Sequence, residues 1–557
     1  MIEIKDLIYE NAYHSFEMYS FASDVTVVGG GLAGLAAALE LIERKKRVLL
    51  LEKSGPDRLG GLARESFGGI CLVNTPEQRR LGICDRPSLA LQDWLNFAEF
   101  ENEDWPRQWA EQYVCRSIPE IYEWLQRLKV TFLPIVNWPE RGLFVPGNSV
   151  PRWHIVWGTG QYLIQQLLSY IGNHRNRELL EIRYNCDVQS LEVSNGEVTG
   201  CSGKIYLDDQ RPDVEFRSSS EAVLLAAGGI CGNLNLVRSH WPSSWGNPPK
   251  QMLNGSHENA NGTVHDMAAR AGASITHLDL QFHYAAGIAH PSPRRPDHGL
   301  SLVPPRSALW VNAIGERIGP VPLVGGFDTR ALVEAICGEP GQYSWQILNW
   351  QIAIHELAVS GSEYMTDFRD RKKLRMLKHL LFGNRKLVRR LLSESDDFVQ
   401  AQSLPELVNN MNQLNTEYKV DEEILRKSIE RYDENLKRKE CYRNDDQIRR
   451  ISAVRAYRGD RLRTAKFIPI LSSSARPLIA IRERIISRKS LGGIRTNLQS
   501  QVLNDQDTVI SGLYAAGEMA GFGGGGIHGK RSLEGTFLGS CILTGRAAGK
   551  SIAGELL

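Results

Sequence analysis

Apolar residues in this chain gather into short runs that close on glycine. Asp24-Val-Thr-Val-Val28 has the length and apolar content of a buried strand and passes at once into Gly29-Gly-Gly-Leu-Ala-Gly34. The apolar spacing that follows, through Leu41, is helical, so the pattern predicts strand, tight turn and helix in succession. Arg47-Val-Leu-Leu-Leu51 repeats the strand pattern and ends in Glu52, and Ala222-Val-Leu-Leu-Ala-Ala-Gly228-Gly229 is a third buried strand ending in glycines. Strands alternating with helical stretches predict an α/β, Rossmann-like fold. The longest apolar runs, such as Val48 to Leu51 and Val223 to Ala227, are strand-sized and fall far short of the roughly 20 residues of a membrane helix.

The glycine spacing carries chemistry. Gly29 permits the turn, Gly31 lets backbone approach a pyrophosphate, and Gly34 lets the helix pack on the strand, with Leu32 and Ala33 in the turn between them. A diphosphate at that helix start meets free N–H groups and the positive end of the helix dipole. Glu52, with Lys53 beside it, stands where a ribose-binding carboxylate is expected about twenty residues on, and an acid there repels a 2′-phosphate. The small-residue loop that follows offers Gly60, Gly61, Ser66, Gly68 and Gly69 for close backbone contact with the same ligand.

Composition narrows the class. At 557 residues the chain exceeds one ordinary core, so two or three domains are expected. Lys plus Arg number 66 against 64 Asp plus Glu, so no global field draws the protein to nucleic acid. Nine scattered cysteines without a Cys-x-x-Cys pair argue for a reducing cytoplasm and against a structural metal site. The first 20 residues carry Glu3, Lys5, Asp6, Glu10 and Glu17, which denies them the apolar core of a signal peptide.

Beyond the fingerprint, several segments carry a family resemblance. They are Gly158-Thr-Gly160, Asn261-Gly-Thr-Val-His-Asp-Met-Ala, Leu309-Trp-Val-Asn-Ala-Ile-Gly-Glu-Arg317, Leu491-Gly-Gly-Ile-Arg-Thr496 and Gly512-Leu-Tyr-Ala-Ala-Gly517-Glu518. The chain resembles the FAD-dependent oxidoreductases that include succinate dehydrogenase and fumarate reductase flavoproteins and 3-ketosteroid Δ1-dehydrogenases, and looks closest to FAD-binding dehydrogenases near the ketosteroid enzymes. The resemblance implies a discontinuous FAD-binding domain at roughly 20–280 and 465–557, with an inserted α+β substrate cap at roughly 281–464. It adds Val188, Ala227, Gly228, Gly517, Glu518, Thr536, Phe537 and Leu538 to the expected FAD contacts. No histidine lies where family members attach FAD covalently, which implies non-covalent FAD. No second strand–glycine turn–helix fingerprint appears, so electrons are expected to pass through a substrate or a separate carrier of unknown identity.

The resemblance also names candidates for catalysis. Gly-Ile-His-Gly-Lys-Arg531 is similar to a fumarate reductase segment whose arginine clamps a carboxylate; counted from Gly535 instead, Arg531 takes the place of a ketone-polarising tyrosine of ketosteroid dehydrogenases. An arginine suits a carboxylate or enolate rather than an ordinary ketosteroid. Gly535 matches the backbone donor of those enzymes. Gln281-Phe-His283-Tyr284 resembles the start of the reductase cap, Arg330 lies near their proton-delivering arginine, and Lys489 replaces a substrate-binding histidine. The expected reaction is transfer of two hydrogens across a C–C bond next to a carbonyl or carboxylate, with hydride passing to or from flavin N5. A flavin oxidase or monooxygenase, or an FAD-stabilised binding protein without activity, stays open.

Two further patterns remain double. Trp94, Trp105, Trp109, Trp124, Trp138, Trp153 and Trp157 read as core packing or as an apolar wall for a large substrate. Arg369-Asp-Arg-Lys-Lys-Leu-Arg-Met-Leu-Lys378 and Arg385-Lys-Leu-Val-Arg-Arg390 set basic residues beside leucine at helical spacing, as a solvated helix face or a peripheral contact with an anionic membrane or acidic carrier.

Overall fold

A computed structural model describes residues 18–101, 104–207, 213–414 and 417–555. At its centre a six-stranded sheet runs Gln501–Leu503, Val509–Ala515, Ala222–Leu225, Val25–Val28, Val48–Leu51 and Leu180–Arg183, parallel except at the first pair. Val25–Val28, Val48–Leu51 and Ala222–Leu225 are buried at every position, which is why they read as unbroken apolar runs without polar alternation.

The carboxy-terminal segment returns to this sheet, with Leu513 in register with Val223 and Ala515 with Leu225. The return stacks the last helix, Thr536–Ile552, on the first, Leu32–Glu43. Their approach is glycine-tight: a Cβ on Gly545 would lie 2.3 Å from the Ala33 carbonyl oxygen. The expected third role of the fingerprint also appears, since a Cβ on Gly34 would lie 2.0 Å from the Gly29 carbonyl oxygen.

The intervening chain builds a second sheet around the 13-residue strand Leu478–Ser490. That strand pairs antiparallel with Gln281–Ala289, Tyr343–Asn349 and Phe398–Ala401. The sheet therefore draws its longest strand from beyond residue 464, where the sequence placed the end of the cap, and the chain leaves it only at Ser490. Helices flank it over a separate apolar core that includes Trp310, Trp345, Ile347, Leu425 and Ile479. Smaller sheets of four and three strands complete the nucleotide-binding half. Among the described residues no helix is long and apolar enough to cross a membrane.

Of the seven tryptophans between residues 94 and 157, Trp94, Trp109, Trp124 and Trp157 are buried in packing. Trp153 and Trp138 instead face cavities.

Candidate active site

Two cavities meet between the sheets. The larger, an empty space of about 1460 Å³ including its open mouth, lies along the fingerprint, and the second, of about 1120 Å³, lies under the cap. They share a wall made by Phe67, Trp153, Tyr284, Ser360 and Glu534.

In the larger cavity the first helix begins at Gly31 with no side chain capping its free N–H groups. A Cβ at Gly31 would meet nothing within 4 Å, whereas a Cβ on Gly29, at φ +105°, would lie 2.5 Å from the Ala226 carbonyl oxygen. The one glycine is demanded by the fold and the other leaves a cradle open for a ligand. Glu52 is buried and accepts from the Gly30 and Ser54 N–H groups at 2.7 Å each, which fixes its carboxylate at the lining. Lys53 is held to Asp187 at 2.8 Å. Gly60, Gly61, Ser66, Gly68, Gly69, Val188, Ala227, Gly228, Gly517 and Glu518 line the same cavity, as do Leu32, Ala33, Phe537 and Leu538. Gly34 and Thr536 do not: the first is spent on helix–strand packing, and the second is buried with its hydroxyl donating to the Leu533 carbonyl at 2.6 Å. An uncapped helix start, a glycine cradle and a ribose-type carboxylate along one elongated space fit a dinucleotide.

At the opposite end of that space the last helix starts at Gly535, φ +94°, again without a side-chain cap. A Cβ there would lie 2.4 Å from the Trp153 ring. Lys489 faces the cavity, with its ammonium 3.9 Å from the centre of the Phe537 ring, and burial pulls its pKa down to about 8. Burial raises Glu518 to about 7.

Tyr284 donates its hydroxyl to Glu534 at 2.9 Å on the wall between the cavities. Burial, reinforced by that carboxylate, holds the phenol well above its usual range, so it stays protonated. Across the second cavity Glu140 accepts from the Thr329 N–H at 3.1 Å and from the Thr329 hydroxyl. Burial and nearby Asp328 push Glu140 up to about 8, which makes it a neutral acid near pH 7.

The sequence matches the FAD binding domain family over residues 24–538. The chain belongs to that family. It is an FAD-dependent oxidoreductase acting on CH–CH groups. Among its relatives, a KsdD-like steroid dehydrogenase of Mycobacterium tuberculosis (strain CDC 1551 / Oshkosh) is 42% identical over 552 residues, covering 96% of each chain. The fold is shared with the open conformation of a flavocytochrome c3 fumarate reductase, at TM-score 0.65 and 21% identity over 96% of this chain and 78% of that one. It is shared too with 3-ketosteroid-Δ4-(5α)-dehydrogenase from Rhodococcus jostii RHA1, at TM-score 0.63 and 20% identity over 96% and 98%.

Against this family frame, three of the six catalytic candidates face the cavities and three do not. Tyr284, Lys489 and Gly535 line the larger one. His283, the neighbour of Tyr284 on the same strand, points to the other side of the sheet, as strand alternation requires. It is buried, stacked on Trp241 at 5.3 Å and bonded to Gln281 at 2.8 Å, and burial lowers its pKa to about 3, so it stays neutral. Arg330 lies over the Trp245 ring at 4.8 Å, off both linings. Arg531 is also off both linings, paired with Glu99 and, at 3.0 Å, with the buried Asp328.

Sequence reasoning missed Glu534, Glu140, Phe67 and Ser360, while Trp153 takes the cavity-wall place that was one of its two readings. Glu534 lies between two residues that were singled out, and only its hydrogen bond to Tyr284, 250 positions away, distinguishes it from any exposed glutamate. Among the described residues no group of three or more His, Cys, Asp or Glu side chains is placed to hold a metal ion.

Proposed function

We propose that this enzyme adds or removes two hydrogens across a C–C bond beside a carbonyl of a steroid-like molecule seated in the second cavity. The Tyr284–Glu534 pair on the wall common to both cavities carries this reading, because it puts a proton donor and its acceptor where cofactor and substrate spaces meet. FAD, bound without a covalent link, supplies hydride acceptance or donation at N5. Tyr284 then carries the α-proton, with Glu534 receiving or returning it at the phenol oxygen. The Gly535 N–H and the start of the last helix stabilise enolate-like charge, and Lys489 adds a cation at the same end. Glu140, as a neutral acid, donates to a polar group of the substrate. Arg531 and Arg330 act from behind this wall as positioning residues, while His283 packs the other side of its sheet.

The steroid-like class is supported by the 42% identical relative and by the apolar lining from Trp138, Pro139, Leu302, Val303 and Leu332. Electrons pass onward to a separate carrier, and the nine unpaired thiols suit a cytoplasmic setting. The cap helix Lys373–Phe382 exposes Leu374 at 85%, Leu381 at 60% and Phe382 at 62% beside Lys373 and Lys378, which supports peripheral contact with an anionic membrane.

Anaerobic titration of the holoenzyme with 4-androstene-3,17-dione and with succinate, following flavin bleaching, tests the reaction. The steroid is expected to bleach the flavin, and Tyr284→Phe to slow the response by about 10²- to 10⁴-fold while FAD is retained. Bleaching by succinate alone, or a Tyr284→Phe rate equal to wild type, overturns the reading.

A further inference from the structure

The second cavity has a charged end that the proposed reaction does not use. The short helix Arg458–Arg461 brings Asp460 to its lining and the turn after it brings Arg463, and Arg306 joins them from the loop after Gly299–Val303. Asp460 is already taken by Arg141 at 2.6 Å and Arg306 at 3.2 Å. The other carboxylate at this end, Glu356, accepts from the Ser307 hydroxyl at 2.6 Å, the Ser307 N–H at 3.0 Å and the Ala465 N–H at 2.7 Å. Three guanidinium groups thus face two occupied carboxylates.

Arg463 is the one left over. Half-buried Arg463 lines the cavity, and among the described residues its guanidinium makes no hydrogen bond or ion pair, with Asp460 and Glu356 acting on it only across space. A guanidinium held away from bulk water without an acceptor is costly, and an anion arriving in the cavity would remove that cost. Its planar fork matches a carboxylate bidentately.

We infer that the Arg463 end of the second cavity is an anion subsite that takes a carboxylate borne on the substrate, remote from the reacting carbon. The substrate class is then an extended apolar molecule with an acid at one end: its ring face lies on the Trp138 and Leu302 walls, its reacting carbon at Tyr284 and Glu534, and its carboxylate on Arg463 with Arg306 alongside. This rests on the reading that the second cavity holds the substrate.

The experiment titrates the FAD-loaded protein with two ligand pairs, reading the flavin difference spectrum and the thermal shift. One pair is a 3-ketosteroid whose side chain ends in a carboxylate and its methyl ester; the other is decanoate and methyl decanoate. A hydrogen-bonded charged contact contributes about 1.5–3 kcal/mol, so each acid should bind roughly 10- to 150-fold more tightly than its ester. Arg463→Gln should erase that difference, Arg463→Lys should restore part of it, and neither should lower the melting temperature, since no protein partner is lost. If the steroid pair binds with acid and ester equal, or the preference survives Arg463→Gln, the subsite falls while the steroid reading stands. If only decanoate shows an Arg463-dependent preference, the subsite stands and the steroid reading falls. If no ligand of either pair binds, both fall.

Discussion

Gly31→Ala separates the cofactor site from the fold. Gly31 has φ −73° and ψ −177°, an extended conformation open to alanine, and its added Cβ would meet no protein atom within 4 Å. Alanine is a poorer helix N-cap than glycine by some tenths of a kcal/mol, and it recovers about 0.4–1 kcal/mol by restricting the unfolded chain. The apoprotein should therefore keep its stability to within about 0.5 kcal/mol. If FAD lays its pyrophosphate on this helix start, the same methyl would stand between it and the helix N–H groups. Overpacking of that kind costs about 1–3 kcal/mol, which is roughly 5- to 150-fold in affinity. Fluorescence titration of apoprotein with FAD gives the dissociation constant, and circular-dichroism melting of the apoprotein gives stability. Unchanged FAD affinity would refute the assignment of the cradle, and a large loss of apoprotein stability would refute the claim that the space is reserved for ligand. Gly34→Ala, whose Cβ would strike the Gly29 carbonyl at 2.0 Å, is the contrasting control and should damage the fold itself.

Three other outcomes follow from the site. Lys489, with its pKa drawn down to about 8, should give FAD affinity that weakens above that pH, and Lys489→Met should flatten the profile. In the apoprotein the sign is opposite, because between about 8 and 10.5 the unfolded chain keeps a proton that the folded site rejects, so stability rises with pH in that window; a flat pH–melting curve would count against it. His283→Ala removes a buried ring stacked on Trp241 and leaves Gln281 without its partner, so unfolding should cost about 2–4 kcal/mol less while turnover of the folded enzyme stays within about twofold. Arg531→Leu strips the buried Asp328 of its cation and should destabilise by about 3–5 kcal/mol in denaturant melts; a variant that keeps wild-type stability but loses substrate binding would return Arg531 to the substrate.

The nucleotide-binding half was legible because its constraints are local. Residues 24–34 and 47–52 carry their strands, turn, helix and carboxylate within about thirty positions, and period and glycine spacing are read without knowing what packs above them. Even the return of 512–518 was readable, since its motif repeats a known glycine pattern. The cap's limits were not: Leu478–Ser490 belongs to the cap's sheet through hydrogen bonds to strands up to about 200 residues earlier, and no local signal records that pairing. The catalytic side divides in the same way. Sequence drew attention to Gln281-Phe-His283-Tyr284, but strand geometry lets only one of two neighbours face the larger cavity, and which one depends on the sheet's orientation. Arg531 stood in a suggestive motif, yet Asp328 and Glu99, distant in the chain, claim its charge. Arg463 attracted no notice, because a guanidinium becomes informative only when every nearby carboxylate is seen to be taken. Residue types and their spacing determined the cofactor and the class of fold. Which side chains meet across the cavities was decided by tertiary packing, since burial and partner occupancy are properties of contacts between distant segments.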